Sequence, residues 1–479
     1  MAPAEGVSEP NLLSAEPGSY RDPDSRVIVT QEGVFRALSQ SGLDDWEVLK
    51  GSQLFADEVA RGRLIATEAT ELAVPDDLLT GGAAGVLAHE RIPFVSYPYE
   101  WTFGMLRDAG LLQLDLLDRA LGEQMILKDS TPYNVQWRGA APVFVDIGSF
   151  ERHRESEPWI GYRQFCTLFL FPLMFQAYRD VPFHPWLRGS LEGISPVEAA
   201  AVLSLRDRFR RGVPMHVALH ARMERRHGSD SGREVKENLR QAGFKVEIVR
   251  ANVRKMRKLV ERLQWKLPDT AWTGYGADPG YADEDRKAKE RFVAAAAERR
   301  TPALTWDLGT NDGNYARIAA RSSDYVIAMD ADHATVEQLY RALREEDGPA
   351  GKVLPLVIDL CDPSPDRGWR NLERPALAKR GKPQLTLCLA LIHHLSITRN
   401  VPVREVVAWL ASLTSSLVIE FPTREDPMVK RLLAAKRDEG HADYDLAHFE
   451  RCLEERFEVH NRLELPSGTR VLFEASVRG

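Results

Sequence analysis

The sequence predicts an α/β protein, with an open, mostly parallel sheet in its C-terminal half. An α+β region and a helical connector precede that sheet. Three observations carry the prediction. Beyond residue 300, apolar strand-like runs alternate with amphipathic helical segments. The first of those runs ends in an Asp followed by a glycine-bearing turn. Residues 26–189, rich in aromatics, instead mix β-branched runs with one long stretch of helical apolar spacing.

The 479 residues are enough for two to four domains, and 44% hydrophobic with 28% charged residues makes a substantial core. Lys plus Arg number 63 against 70 Asp plus Glu, a net charge of −7, which excludes an overall polybasic nucleic-acid binder. Cys166, Cys361, Cys388 and Cys452 form no CxxC pair, so neither a disulfide scaffold nor a zinc ribbon is expected. Residues 1–25 carry no basic or apolar leader and are expected to be disordered. The most apolar stretch, 165–178, is interrupted by Pro172 and falls short of a membrane span. A cytoplasmic chain without a membrane partner is therefore expected.

Taken in order, residues 26–29 and 92–97 read as strands. Residues 103–122 place Met105, Leu106, Leu112, Leu116 and Leu117 at near-helical spacing and read as a long buried helix. The connector, 190–268, is strongly basic over 206–266. That charge is either a solvated helical face or a seat for an anionic ligand, with aromatics too sparse to stack bases. A C-terminal domain over 269–479 opens with a helix at 283–300, acidic at its start and basic at its end, as the helix dipole prefers. Strands follow at 304–308, 325–329, 353–358, 385–391, 417–421 and 470–475.

The densest chemical signal is W-D-L-G-T-N-D-G-N, residues 306–314. Gly309 and Gly313 flank a turn into a helix, where a missing β-carbon lets the backbone approach a ligand. The second strand ends in Asp330, a carboxylate placed to accept hydrogen bonds from ribose hydroxyls. The spacing is not G-x-G-x-x-G, and Asp307 and Asp312 put negative charge where a diphosphate would sit. Such a pocket favours a cation such as a sulfonium. Asp359 ends a third strand. The fourth runs into His393 and His394, each either a general base or a packing residue. Glu420, ending the fifth strand, either orients an acceptor or caps the next helix. Tyr275 and Tyr281 lie in a Gly-rich segment that is either a lid whose rings favour a sulfonium or a packed linker.

Asp307, Gly309 and Gly313 match the D-x-G-x-x-x-G motif, and residues 301–479 resemble the class I S-adenosylmethionine-dependent methyltransferases, a Rossmann-like fold. That resemblance implies that Asp307, Gly309 and Asn311 contact the methionyl part, Asp330 the ribose, and Asp359 with Leu360 the adenine edge. It also implies a reversed last hairpin, turning at Pro466, Ser467 and Gly468. The whole chain is similar to a group of bacterial methyltransferases labelled nodulation-associated proteins.

A second pattern lies upstream. Asp129 and Asn134, then Asp146 before Gly148, resemble the D-x-x-x-x-N and D-x-G loops of protein-kinase-like phosphotransferases. There the first Asp orients the acceptor hydroxyl, while the Asn and second Asp hold magnesium. The glycine-rich loop is missing, and Leu127 and Lys128 replace the usual His and Arg. The resemblance therefore implies a kinase-like domain that is catalytically silent or binds substrate. The sequence as a whole reads as a methyltransferase using S-adenosylmethionine on an unidentified acceptor. Its rivals are a magnesium–ATP phosphotransferase and a non-catalytic cofactor-binding scaffold.

Overall fold

The computed structural model describes residues 14–154, 159–204, 206–227, 245–268, 283–346, 351–436 and 441–479. Strands β1 (Ser25–Val29), β2 (Val34–Leu38), β3 (Thr67–Thr70) and β4 (Gly85–His89) form an antiparallel sheet in the order β1-β2-β4-β3. Residues 14–25 are tied down, not disordered. Ala15 bridges to Ile28, and Tyr20 and Arg21 hydrogen-bond Glu373 in the far half of the chain.

The helix Phe103–Gly122 forms as its spacing predicts. Thr102 caps it by accepting from the Met105 N–H at 3.2 Å, and one face buries Met105, Leu106, Leu112 and Leu116. Strands β5 (Met125–Leu127) and β8 (Phe150–Arg152) pair beside it, around the hairpin β6 (Val135–Arg138) and β7 (Ala141–Phe144). Residues 92–97 are not a strand. Pro93 and Pro98 remove donors, and the side chain of Gln136 takes the place of a neighbouring strand. It accepts from the Ser96 N–H at 2.9 Å and donates to the Ser96 carbonyl at 3.1 Å. The apolar run 165–178 is helical and buried, and a π-helical stretch, Cys166–Leu170, just precedes Pro172.

The connector is largely helical where described, with α-helices Pro196–Val202, His220–His227 and Val246–Glu261 and a π-helix Val213–Leu219. The Val246–Glu261 helix packs Val249, Val253 and Met256 inward, against the Phe103–Gly122 helix. Arg250 and Arg254 reach Asp118, each at 2.9 Å, and Arg257 reaches Asp115 at 2.5 Å. Part of the connector's positive charge is thus matched within the chain. Such half-exposed pairs add little stability.

The second sheet comprises β9 (Leu304–Leu308), β10 (Tyr325–Asp330), β11 (Val353–Val357), β12 (Leu385–Cys388), β13 (Ser416–Pro422), β14 (Phe457–Glu464) and β15 (Arg470–Val477). Its order is β11-β10-β9-β12-β13-β15-β14, with β15 antiparallel to both neighbours and the first five parallel. The last hairpin is therefore reversed. Strand order changes direction between β9 and β12, which opens a crevice at their carboxyl ends. The fourth strand stops at Cys388, short of the expected 385–391. Ala390, at φ 48°, turns the chain across the sheet end.

Buried apolar side chains from both halves form one connected cluster, with Phe94 against Trp306 at 6.2 Å and Trp137 against Tyr340 at 5.9 Å. At Gly104 a β-carbon would lie 2.8 Å from the Tyr340 ring, so only glycine lets the helices approach this closely. The Gly104 N–H donates to Glu337 at 2.7 Å. The connection between β11 and β12 crosses to the N-terminal region. Its Arg380, buried, bonds Glu100 at 2.8 Å and lies over the Tyr97 ring, and Arg374 lies over Tyr133.

Candidate functional site

The turn after β9 is built by hydrogen bonds to its neighbour. The N–H groups of Gly309 and Thr310 both donate to the Met329 carbonyl at 2.9 Å. Gly309 (φ 73°) and Gly313 (φ 78°) both adopt left-handed backbone, and a β-carbon at Gly313 would strike Leu339 at 2.5 Å. Asn311, at φ 50°, aims its N–H at the Asp330 carboxylate (3.0 Å), whose other oxygen accepts from the Asp332 N–H at 2.9 Å. Backbone donors thus fix Asp330 while each oxygen retains further accepting capacity.

Around this turn opens a cavity of about 580 Å³ at the carboxyl ends of β9 to β12. Gly309, Asn311, Asp330, Asp359, Leu360 and His394 line it, so six of the predicted residues converge. Asp307 sits just behind, 1% exposed, and accepts from the Thr310 hydroxyl at 2.6 Å. Gly313 supports the turn as the N-cap of the helix Asn314–Ala320. Tyr275 and Tyr281 lie outside the described residues.

Two predicted residues are placed differently. His393 is fully buried behind His394, ring centroids 4.1 Å apart, and does not line the cavity. Glu420 is also fully buried, paired with Lys289 and, at 3.0 Å, with Arg470, which in turn bonds Asp426 at 2.7 Å. It holds a buried ion cluster together and does not itself line the cavity, which it meets only through Lys289. Burial pushes its carboxyl up, but Lys289 and Arg470 outweigh that and hold it below the usual range.

Lys289 is the residue sequence reasoning missed. It lies on the helix Asp283–Arg300, lines the cavity and sits 4.8 Å from the Tyr315 ring centre. Its partner Glu420 is too far along the chain for any spacing rule to connect them.

The wall is acidic. Asp312, Asp330, Asp332, Asp359 and Glu290 face Arg286, Lys289 and Arg399. Lys289 is matched by Glu420 and Arg399 by Asp359. Burial pushes the Asp307 carboxyl up to about 7, helped by Asp330 and Asp312, and burial also raises Asp330. Burial, with Arg470 nearby, lowers the His394 imidazole to about 4, so it is neutral at pH 7.

The N-terminal cluster also assembles. Asn134 donates to Asp129 at 2.8 Å, and the Ser149 hydroxyl bridges Asp129 (2.8 Å) and Asp146 (2.6 Å). Arg36 pairs with Asp146 at 2.9 Å. Burial, then the Asp146 charge, raises Asp129 to about 6. Among the described residues, no group of three His, Cys, Asp or Glu is arranged to hold a metal ion.

No family model matches the chain. It is 31% identical over 480 residues to the nodulation protein NoeA of Rhizobium meliloti (strain 1021), covering 98% of each chain. The chain belongs to the family of that nodulation protein. Among solved structures, it is similar to N-methyltransferase NodS from Bradyrhizobium japonicum WM9 in complex with S-adenosyl-L-homocysteine. That similarity is 8% identity over 44% of this chain and 100% of that one, TM-score 0.30. Magnesium protoporphyrin IX methyltransferase from Synechocystis PCC 6803 with bound S-adenosylhomocysteine gives 16% identity over 43% and 95%, TM-score 0.30. Scores this low carry no argument about this chain.

Proposed function

We propose that the chain transfers a methyl group from S-adenosylmethionine to an acceptor whose identity is open. One observation carries the reading. The cavity at the sheet's crossing point sets Asp330 beside a glycine turn, among more carboxylates than cations. That charge suits a sulfonium and opposes a diphosphate.

The residues present fit the cofactor. Gly309 and Gly313 keep the turn low. Asp330 is suited to the ribose hydroxyls, Asp359 and Leu360 to the adenine edge, and Asn311 with Gly309 to the methionyl part, with Asp307 acting through Thr310. Bound there, S-adenosylmethionine supplies an electrophilic methyl group on positive sulfur. The chain's own contribution is chiefly placement, which by aligned proximity is worth roughly 7–11 kcal/mol. His394, neutral at pH 7 on the same cavity wall, accepts a hydrogen bond from the acceptor N–H or O–H and so orients the acceptor's lone pair at the carbon. The proton released passes on to solvent, because an imidazole lowered to about 4 is a weak base.

The test is thermal-shift titration of the full chain with S-adenosylhomocysteine, NAD and magnesium–ATP. A ligand at a hundred times its Kd stabilises by about 2.7 kcal/mol, which moves the midpoint by degrees. We expect that shift with S-adenosylhomocysteine alone. A shift with NAD and none with S-adenosylhomocysteine ends the proposal. Binding without methyl transfer to any component of a cell extract would leave a cofactor-binding scaffold.

A further inference from the structure

The connector carries an apolar ridge that turns away from the protein. Phe209 is 93% exposed, Met215 60% and Leu219 45%. The helical stretch from Val213 buries Val213, Val217 and Ala221 on its inner side and presents Met215 and Leu219, four residues apart, on its outer side. Exposed arginines flank the ridge: Arg206, Arg208, Arg211, Arg222 and Arg225. The two acids within residues 206–225 are engaged, Asp207 by Arg210 at 3.0 Å and Glu224 by Arg163 at 2.7 Å. A positive surface thus stands on a chain whose net charge is −7.

From this arrangement we infer that residues 206–225 dock the protein on an anionic lipid surface. Phe209, Met215 and Leu219 enter the acyl boundary, and the arginines meet the headgroups. Apolar side chains flanked by arginines are what an interfacial helix needs. Phe209 and Met215 are more than half exposed and Leu219 nearly so, and side chains that project this far suit an insertable surface better than a partner helix. Among the described residues no helix is long and apolar enough to cross a membrane, so the contact is interfacial. This departs from the sequence expectation of no membrane partner, and it stands independently of the methyl-transfer reading.

The test is co-sedimentation of the full chain with phosphatidylglycerol–phosphatidylcholine vesicles and with phosphatidylcholine vesicles, at low and high salt. We expect sedimentation with the anionic vesicles only, weakened by salt. Phe209→Ser with Leu219→Ser, and separately Arg208→Glu with Arg211→Glu, should each lower the partition coefficient at least about tenfold. These positions are exposed, so circular dichroism should be unchanged. Phe209→Trp gives a second readout, a blue-shifted emission when anionic vesicles are added. Absence of sedimentation, or sedimentation indifferent to both pairs, overturns the inference. So does a dimer in solution that Phe209→Ser with Leu219→Ser dissolves, since a second copy then covers the ridge. Binding of polyglutamate without binding of vesicles overturns it as well and points to an acidic protein.

Discussion

Each half of the chain gathers a cluster of carboxylates, and Asp146 in the first and Asp330 in the second differ in what their oxygens are left to do. In the N-terminal region Asp146 is engaged by Arg36 and Ser149, and Asp129 by Asn134 and Ser149. At the tips of the second sheet Asp330 is held by backbone N–H groups and borders a cavity of about 580 Å³. Side-chain cations and hydroxyls consume a carboxylate. Backbone donors orient one and leave it able to receive a ligand. Spacing in a sequence tells which residues converge, not whether their charge is already matched.

Four experiments break or sharpen that contrast. The largest effect is expected where charge is fully buried and matched. Glu420→Gln removes the buried counter-charge that Lys289 and Arg470 share, although Arg470 keeps Asp426, and should cost about 3–5 kcal/mol of stability by denaturant titration. Affinity for S-adenosylhomocysteine lost without any fall in stability would restore Glu420 to the cavity rim.

Next comes the contrast itself. Asp330→Asn should weaken S-adenosylhomocysteine by about 1.5–3 kcal/mol, the worth of hydrogen bonds to a charged group, in calorimetry. Asp146→Asn should leave that affinity unchanged. Equal losses would mean the two clusters are not different in kind.

A smaller effect is expected from Arg36→Gln, roughly 1–3 kcal/mol of stability through an unpaired, largely buried Asp146. Magnesium–ATP should still give no thermal shift. If it does, Arg36 was a lock on a phosphotransfer site.

The subtlest test uses pH, where two groups pull oppositely. Asp307 lies near 7 against an ordinary 3.8, so stability fully present below pH 3.8 is lost as pH rises to about 7. His394 lies near 4 against an ordinary 6.5, so stability fully present above pH 6.5 is lost as pH falls to about 4. Thermal midpoints of Asp307→Asn should therefore exceed the parent's increasingly as pH rises. His394→Gln should lose less than the parent as pH falls. Parallel curves for all three proteins would count against both assignments.

The helices Phe103–Gly122 and Asp283–Arg300 were legible in the sequence because apolar period or charge order marks them without outside help. Six strands of the second sheet were legible because their apolar runs are largely buried on both faces. The mostly exposed β14 carries no such run and was reached only through the implied last hairpin. Residues 92–97 were misread because an extended, aromatic run looks the same whether a strand or the Gln136 side chain satisfies it. Asp330 and Asp359 could be placed from strand ends alone. Lys289 and Arg36 could not, since each matters only through a carboxylate more than a hundred residues away. His393 and His394 were indistinguishable as neighbours in a motif. The left-handed Ala390 sends the chain across the sheet end just before them, with one imidazole at the cavity and the other beneath it.

The stretch leading from β11 to β12 begins at the cavity wall, where Asp359, Leu360 and Cys361 stand, and then crosses to Glu100 and Tyr133. A fragment starting near residue 283 would keep every strand of the second sheet, yet it would strip Arg380 of its buried counter-ion and bare the Trp306 face that Phe94 covers. The C-terminal portion is accordingly no detachable cassette, and trimming the gene to its recognisable motifs would yield a polypeptide inclined to aggregate.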